Sequence, residues 1–154
     1  MSLLNKKAPE FSLQNGNFES IALEELRKDG SVVILFYPLA FSSVCTEELC
    51  AIRDNMKIYG SLSATVVGIS VDSLFVQRAF KQSQNLNFDL LSDFNKEVSK
   101  NYGVLYEDFY GMKGVSKRSA FVIDKEGIVR YEEIHDKDDV IPDFSRIQGV
   151  LAGL

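Results

Sequence analysis

Two cysteines, Cys45 and Cys50, are the residues of this chain best suited to chemistry. Cys45 follows an apolar, β-branched run, Ser31-Val32-Val33-Ile34-Leu35-Phe36-Tyr37, and the loop Pro38-Leu39-Ala40-Phe41-Ser42-Ser43-Val44. The stretch from Thr46 to about Tyr59 reads as a helix, which puts Cys45 in or next to its first turn. Unpaired backbone N–H groups and the positive end of the helix dipole point at that turn. Such a position favours the thiolate, the reactive form of cysteine. Glu47 and Glu48 work against it, because nearby carboxylates disfavour an anionic sulfur. No cation stands near Cys45 in sequence before Arg53, so a reactive Cys45 must import one from elsewhere in the fold. The competing reading is a buried structural thiol on an apolar helix stripe. With so few thiols in the chain, redox chemistry is the natural reading of the pair.

The bulk of the sequence narrows the setting. A length of 154 residues with 45% hydrophobic and 25% charged residues fits one globular domain spanning 1–154. A net charge of −5 with no clustered Lys/Arg run argues against nucleic acid or an anionic membrane as partner. No apolar run approaches the ~20 residues needed to cross a bilayer. The first residues, Met1 to Lys7, lack a signal-peptide pattern, so a cytoplasmic location is expected. The cysteine spacing is not a secreted disulfide framework. With a single histidine, His135, far away in sequence, the cysteines do not make a zinc site by themselves. Neither G-x-G-x-x-G nor G-x-x-x-x-G-K-[ST] occurs, so no nucleotide cofactor is expected.

The elements that must hold Cys45 follow from patterning. Ala8 to Leu13 and Phe18 to Ile21 alternate around an Asn15-Gly16-Asn17 turn, which predicts an N-terminal β-hairpin. The Ser31–Tyr37 run and Ala64–Val71 read as strands covered on both faces. Between them, Cys45, Leu49, Ile52, Met56 and Tyr59 recur at helical spacing and predict one inward stripe. Asp72 or Ser73 caps a helix running to about Ser83, with Leu74, Phe75, Val76 and Phe80 as its apolar residues. Phe94 to Tyr102 reads as a helix stopped by Gly103, and Glu107 to Lys117 as a loop. Ser119–Asp124 and Ile128–Ile134 form a hairpin around Asp124-Lys125-Glu126-Gly127. His135 to Asp139 is a polar loop with a solvated histidine. Pro142 opens a last helix carrying Phe144, Ile147 and Leu151. Helices alternate with strands and a hairpin follows, which fits an α/β mixed sheet flanked by helices.

Pro38, Ser42 and Cys45, spaced as proline, three residues, Thr or Ser, two residues, cysteine, resemble the peroxiredoxin signature. The strand opened by Arg118 resembles a peroxiredoxin strand, and the likeness runs from about Lys7 to Leu151. It implies a thioredoxin-like fold. It implies that Arg118 supplies the missing cation and polarises a peroxide. Glu48 would orient Arg118, Ser42 would accept from the peroxide and donate to the thiolate, and Pro38 would shield the thiolate from water. Pro38-Leu39-Ala40-Phe41 and Leu91-Ser92-Asp93-Phe94 look most like the alkyl hydroperoxide reductase E group, whose members generally work with one cysteine. Cys45-x-x-x-x-Cys50 looks instead like the bacterioferritin-comigratory or Q-type group, in which the second cysteine resolves the first.

The resemblance thus implies a thiol peroxidase acting on hydrogen peroxide or an alkyl hydroperoxide. Cys50 closes an intramolecular disulfide and thioredoxin or a similar dithiol reduces it, without metal, flavin or haem. The alternatives are a one-cysteine peroxidase resolved by an external thiol and a non-enzymatic thioredoxin-fold redox sensor. A thiol–disulfide oxidoreductase is disfavoured by the C-x4-C spacing. The protein is expected as a monomer or homodimer, the dimer contact lying around Phe41 and Ser73.

Overall fold

The computed structural model describes residues 2–154. Its centre is β3 (Ser31–Phe36), every residue of which is buried, as its unbroken apolar sequence requires. β4 (Ala64–Ser70) pairs with β3 in parallel, and β5 (Asp89–Ser92) pairs with β4 in parallel. β6 (Ser119–Ile123) lies antiparallel on the other side of β3 and continues into β7 (Val129–Ile134). The N-terminal hairpin, β1 (Ser12–Gln14) and β2 (Ser20–Ala22), joins the far edge through Gln14 opposite Ser92. The result is one seven-stranded mixed sheet of order β2-β1-β5-β4-β3-β6-β7.

Alternation along β3 divides the interior. Val33, Leu35 and Tyr37 face a layer holding Cys45, Leu49, Ile52, Tyr59, Phe80, Ile147 and Leu151. Val32, Ile34 and Phe36 face the opposite layer, with Ala8, Leu23, Val98, Tyr102 and Phe121. Gly68 on β4 permits a close approach: a Cβ there would come within 2.8 Å of Leu90 and 3.1 Å of the Tyr37 ring. The helices covering the sheet are α1 (Leu23–Leu26), α2 (Ser43–Asp54), α3 (Met56–Ser61), α4 (Leu74–Gln84), α5 (Glu97–Asn101) and α6 (Phe144–Ala152).

Several sequence expectations need correction. The helix expected from Thr46 to Tyr59 begins at Ser43 and breaks at Asn55, where φ −115° and ψ 17° leave the helical region. The expected stripe survives the break, with Met56 half-buried and its other members buried. On α4, Ser73 caps Val76 as expected, but Phe75 is 59% exposed and the buried residues are Gln77 and Phe80. Gln77 replaces an apolar residue because it hydrogen-bonds three groups: it accepts from the Tyr37 hydroxyl and donates to Ser70 Oγ and the Leu91 carbonyl. The helix expected from Phe94 starts at Glu97, after Lys96 in the left-handed region. Pro142 precedes α6 rather than opening it, and Asp143 is the cap. Residues 105–116 are more ordered than a plain loop, with bridges Leu105–Ser116 and Phe109–Met112. No described helix is long and apolar enough to cross a membrane.

Candidate active site

The loop after β3 is fixed from the neighbouring strand. The Asp72 carboxylate, just past β4, accepts from the Ala40 N–H at 2.8 Å and the Ser70 hydroxyl at 2.6 Å, both on Oδ2. Pro38 is buried where β3 ends. Phe41 takes a left-handed backbone, φ 69°, and its ring packs on Phe80 with centroids 5.0 Å apart. This turn brings the chain to Ser42, the N-cap of α2. The Ser42 carbonyl accepts from the Thr46 N–H at 2.9 Å and opens the helical ladder. Cys45 therefore stands in the first turn, where backbone N–H groups lack ladder partners. Its side chain is fully buried.

The missing cation arrives across the sheet. Ser119 pairs with Phe36, so Arg118 is delivered to the same end of the sheet as Pro38. Arg118 Nη2 donates to Cys45 Sγ at 3.2 Å, and Nη1 donates to Glu48 Oε1 at 2.6 Å. Nε and Nη2 both donate to the Asp138 carbonyl, at 3.2 and 2.9 Å. A guanidinium has about five N–H groups. These contacts use four of them and leave one on Nη1.

The Arg118 and Glu48 side chains are 2% and 0% exposed. Burial works against the charge on Arg118, but Glu48 and Cys45 outweigh it and hold the guanidinium above its ordinary value. Burial pushes the Glu48 carboxyl up to about 7, against the pull of Arg118. Only one of its oxygens is partnered; Oε2 is buried without a hydrogen bond.

The structure thus brings Cys45, Glu48 and Arg118 together, with Pro38 buried in the preceding loop. Ser42 is placed differently from expectation. It is exposed, and its hydroxyl donates to the Leu39 carbonyl at 2.9 Å rather than to Cys45. That carbonyl lies three residues back, within easy reach of a capping serine. Cys50 lies on the same helix, half-buried, with Sγ donating to Gln84 Oε1 at 3.5 Å; both thiols are free. Arg53 pairs with Asp54 at 2.9 Å and also donates to the Gln84 carbonyl, away from the Arg118 cluster. His135, expected in solvent, is half-buried and hydrogen-bonded to Glu133. Asp138 and Asp72 were not legible as site residues. Asp138 acts through its backbone carbonyl, which has no sequence signature, and Asp72 read only as a helix cap. Among the described residues no group of three or more His, Cys, Asp or Glu is placed to hold a metal ion.

The family model described as AhpC/TSA matches residues 4–132. This chain belongs to the AhpC/TSA family. Its relatives within the family carry the peroxiredoxin name, in keeping with the resemblance read from Pro38, Ser42 and Cys45. The chain is 34% identical over 146 residues to the chloroplastic 2-Cys peroxiredoxin BAS1 of Spinacia oleracea, a match covering 88% of this chain and 54% of that protein. It is 37% identical over 143 residues to the chloroplastic 2-cysteine peroxiredoxin of Chattonella marina var. antiqua, covering 86% of this chain and 71% of that one. The chain thus spans about half the length of the spinach relative. Among solved structures, peroxidoxin BcpB from Mycobacterium tuberculosis superimposes with a TM-score of 0.88 at 29% identity, over 98% of this chain and 97% of that one. The thioredoxin-like fold of the family is therefore the fold of this chain.

Proposed function

We propose that this chain is a thiol peroxidase, a single domain over 1–154, with Cys45 as the nucleophile. The observation that carries the reading is the 3.2 Å contact between Arg118 Nη2 and Cys45 Sγ, made in a buried site by a guanidinium that Glu48 holds in place. Arginine suits the task because it stays charged and offers fixed donors.

In the proposed reaction the Cys45 thiolate attacks one oxygen of a hydroperoxide. An S–O bond forms and the O–O bond breaks. The leaving oxygen takes a proton and departs as water or an alcohol, and Cys45 is left as a sulfenic acid. The guanidinium held beside the sulfur supplies positive charge to the oxygen that gains charge. Glu48 orients Arg118, Pro38 shields the sulfur from water, and Ser42 retains acceptor capacity toward the peroxide after donating to Leu39.

Recycling follows through Cys50. Its thiolate attacks the Cys45 sulfur, a disulfide forms and the sulfenic oxygen leaves as water. A thioredoxin-like dithiol then reduces the disulfide and is itself oxidised. Cys45 and Cys50 lie ~7.5 Å apart along an intact helix and over a third of a turn around it. A disulfide needs Cα atoms about 4.4–6.8 Å apart, so this step requires the turn between them to unwind. One observation favours a one-cysteine cycle instead: the Cys50 thiol is engaged with Gln84. Association as a homodimer through the Phe41 loop and the Ser73 region completes the reading; Phe41 and Phe75 expose their rings there, at 54% and 59%.

The test is the mass of the protein after one equivalent of peroxide. A loss of two hydrogens supports the internal disulfide, and a gain of one oxygen supports the one-cysteine cycle. No mass change on Cys45 would defeat the peroxidase reading altogether.

A further inference from the structure

Arg118 owes its orientation to more than Glu48. Its Nε and one Nη2 hydrogen converge on the Asp138 carbonyl, which lies on the loop between β7 and α6. A loop carbonyl positions a guanidinium only if the loop itself is held. The holding groups come from residues 105–117. The Tyr106 hydroxyl donates to the Asp136 carbonyl at 2.8 Å, and the Tyr110 hydroxyl donates to Asp138 Oδ2 at 3.1 Å. Lys117 Nζ bonds Asp136 Oδ1 at 2.9 Å and lies 5.8 Å from the Tyr106 ring centroid.

The backbone of this strap is itself unusual. Phe109 and Met112 bridge across a turn whose centre is Tyr110, φ 52°, and Gly111, φ 85°. Two successive positive φ angles mark the primed hairpin turn, whose first central position favours Asn, Asp or Gly. A tyrosine there costs conformational energy. Its exposed ring recovers no core packing, being 79% exposed. The ring packs edge-to-face on Phe109, with centroids 4.8 Å apart, and the hydroxyl reaches the loop that aims Arg118.

We propose that Tyr106 and Tyr110 are positioning residues, acting on Cys45 through the Asp136–Asp138 loop and Arg118. The inference rests on the peroxidase reading. Without the strap the 136–138 loop moves, the Asp138 carbonyl leaves the guanidinium edge, and Nη2 is no longer held toward Cys45 Sγ. Cys45 itself keeps its place in the first turn of α2.

The experiment compares two single-turnover rates on Cys45, oxidation by hydrogen peroxide and alkylation by iodoacetamide, in a Cys50→Ser background. Tyr106→Phe with Tyr110→Phe should slow oxidation about three- to tenfold, the worth of one or two hydrogen bonds. Alkylation should change less, so the ratio of the two rates falls. Asp138→Ala, which removes the Tyr110 acceptor and its charge, should lower the ratio, and Asp138→Asn, which removes the charge but keeps an acceptor, should restore it. An unchanged ratio in the folded double variant and in Asp138→Ala would overturn the proposal. Should the double variant not fold, the Asp138 pair decides alone. Arg118→Met separates the two levels. If it leaves oxidation unchanged, the peroxidase reading fails; if it slows oxidation while the strap variants do not, only the strap fails.

Discussion

Five positions along α2 separate a thiol buried against a guanidinium from a thiol half-buried against an amide. Cys45 is at the helix entrance, where N–H groups are unsatisfied, and it receives Arg118 from a strand far away in sequence. Cys50 is inside the ladder, where the backbone is satisfied, and its neighbour is Gln84. The residue type is the same and the helix is the same. What differs is the supply of positive charge and donors, which sequence distance hides and strand pairing delivers. Location in the first turn is only half of the setting; the other half depends on β6 lying beside β3.

Serine separates the two thiols most completely. Cys45→Ser should abolish peroxide reduction, because serine is not ionised near neutral pH, while Cys50→Ser should keep the first oxidation and lose recycling. A Cys50→Ser protein that stays folded but no longer oxidises in a single turnover would reverse the assignment.

Next in size is Arg118→Met. Loss of one preorganised donor to developing charge costs about 10²–10³-fold in rate, and the second-order rate with peroxide should fall on that scale. The variant also leaves Glu48 buried without its partner, which is destabilising. Arg118→Met combined with Glu48→Gln should therefore be more stable than Arg118→Met alone, though no more active. Stopped-flow rates and denaturant melts measure both. Equal stability of the two proteins would show that the ion pair is not what holds the site.

A third test sharpens the difference between the ends of α2. Peroxide treatment should strip amide-exchange protection from residues 45–50 if the internal disulfide forms, and leave residues 56–61 protected, because the break at Asn55 separates them. Protection unchanged across 45–50 alongside a disulfide proven by mass would contradict the unwinding model.

The smallest effect concerns Glu48. Its carboxyl is raised from an ordinary 4.5 to about 7 in the folded protein. The folded state therefore holds this proton more tightly than the unfolded one. The stability it contributes is complete below about pH 4.5 and is lost as pH rises through about 7. Glu48→Gln cannot ionise, so its Tm should decline less than the parent's between about pH 5 and about pH 8. Identical declines would mean that Glu48 is ionised throughout.

The sequence carried the scaffold where its pattern was unambiguous. The apolar run of β3, the β6–β7 hairpin around Gly127 and the cap at Ser73 all lie where periodicity and turn residues place them. Cys45 and its need for an imported cation were also legible, because helix entrances and neighbouring carboxylates are local matters. Recognising Arg118 and Glu48 as its partners took the family likeness. The break at Asn55 was not legible, since the apolar stripe continues through it to Tyr59. Nor was Gln77, a polar residue whose burial makes sense only once Tyr37, Ser70 and Leu91 surround it. Asp138 escaped for a deeper reason. Any residue has a carbonyl, so only the path of the chain reveals which one meets Arg118.

The division of the interior by β3 has a consequence for how this chain tolerates change. Neighbours in sequence, such as Val33 and Ile34, report to opposite layers, and only the layer of Val33 contains Cys45. The sheet between them works as a bulkhead. Volume-conserving exchanges among Ile34, Val67 and Ile123 alter thermal endurance by modest amounts, typically less than ~1.5 kcal/mol, on the side away from the sulfur. Variation can accumulate there and tune how long the molecule lasts without altering how fast it reacts. On the Cys45 side, the same exchange touches both properties at once.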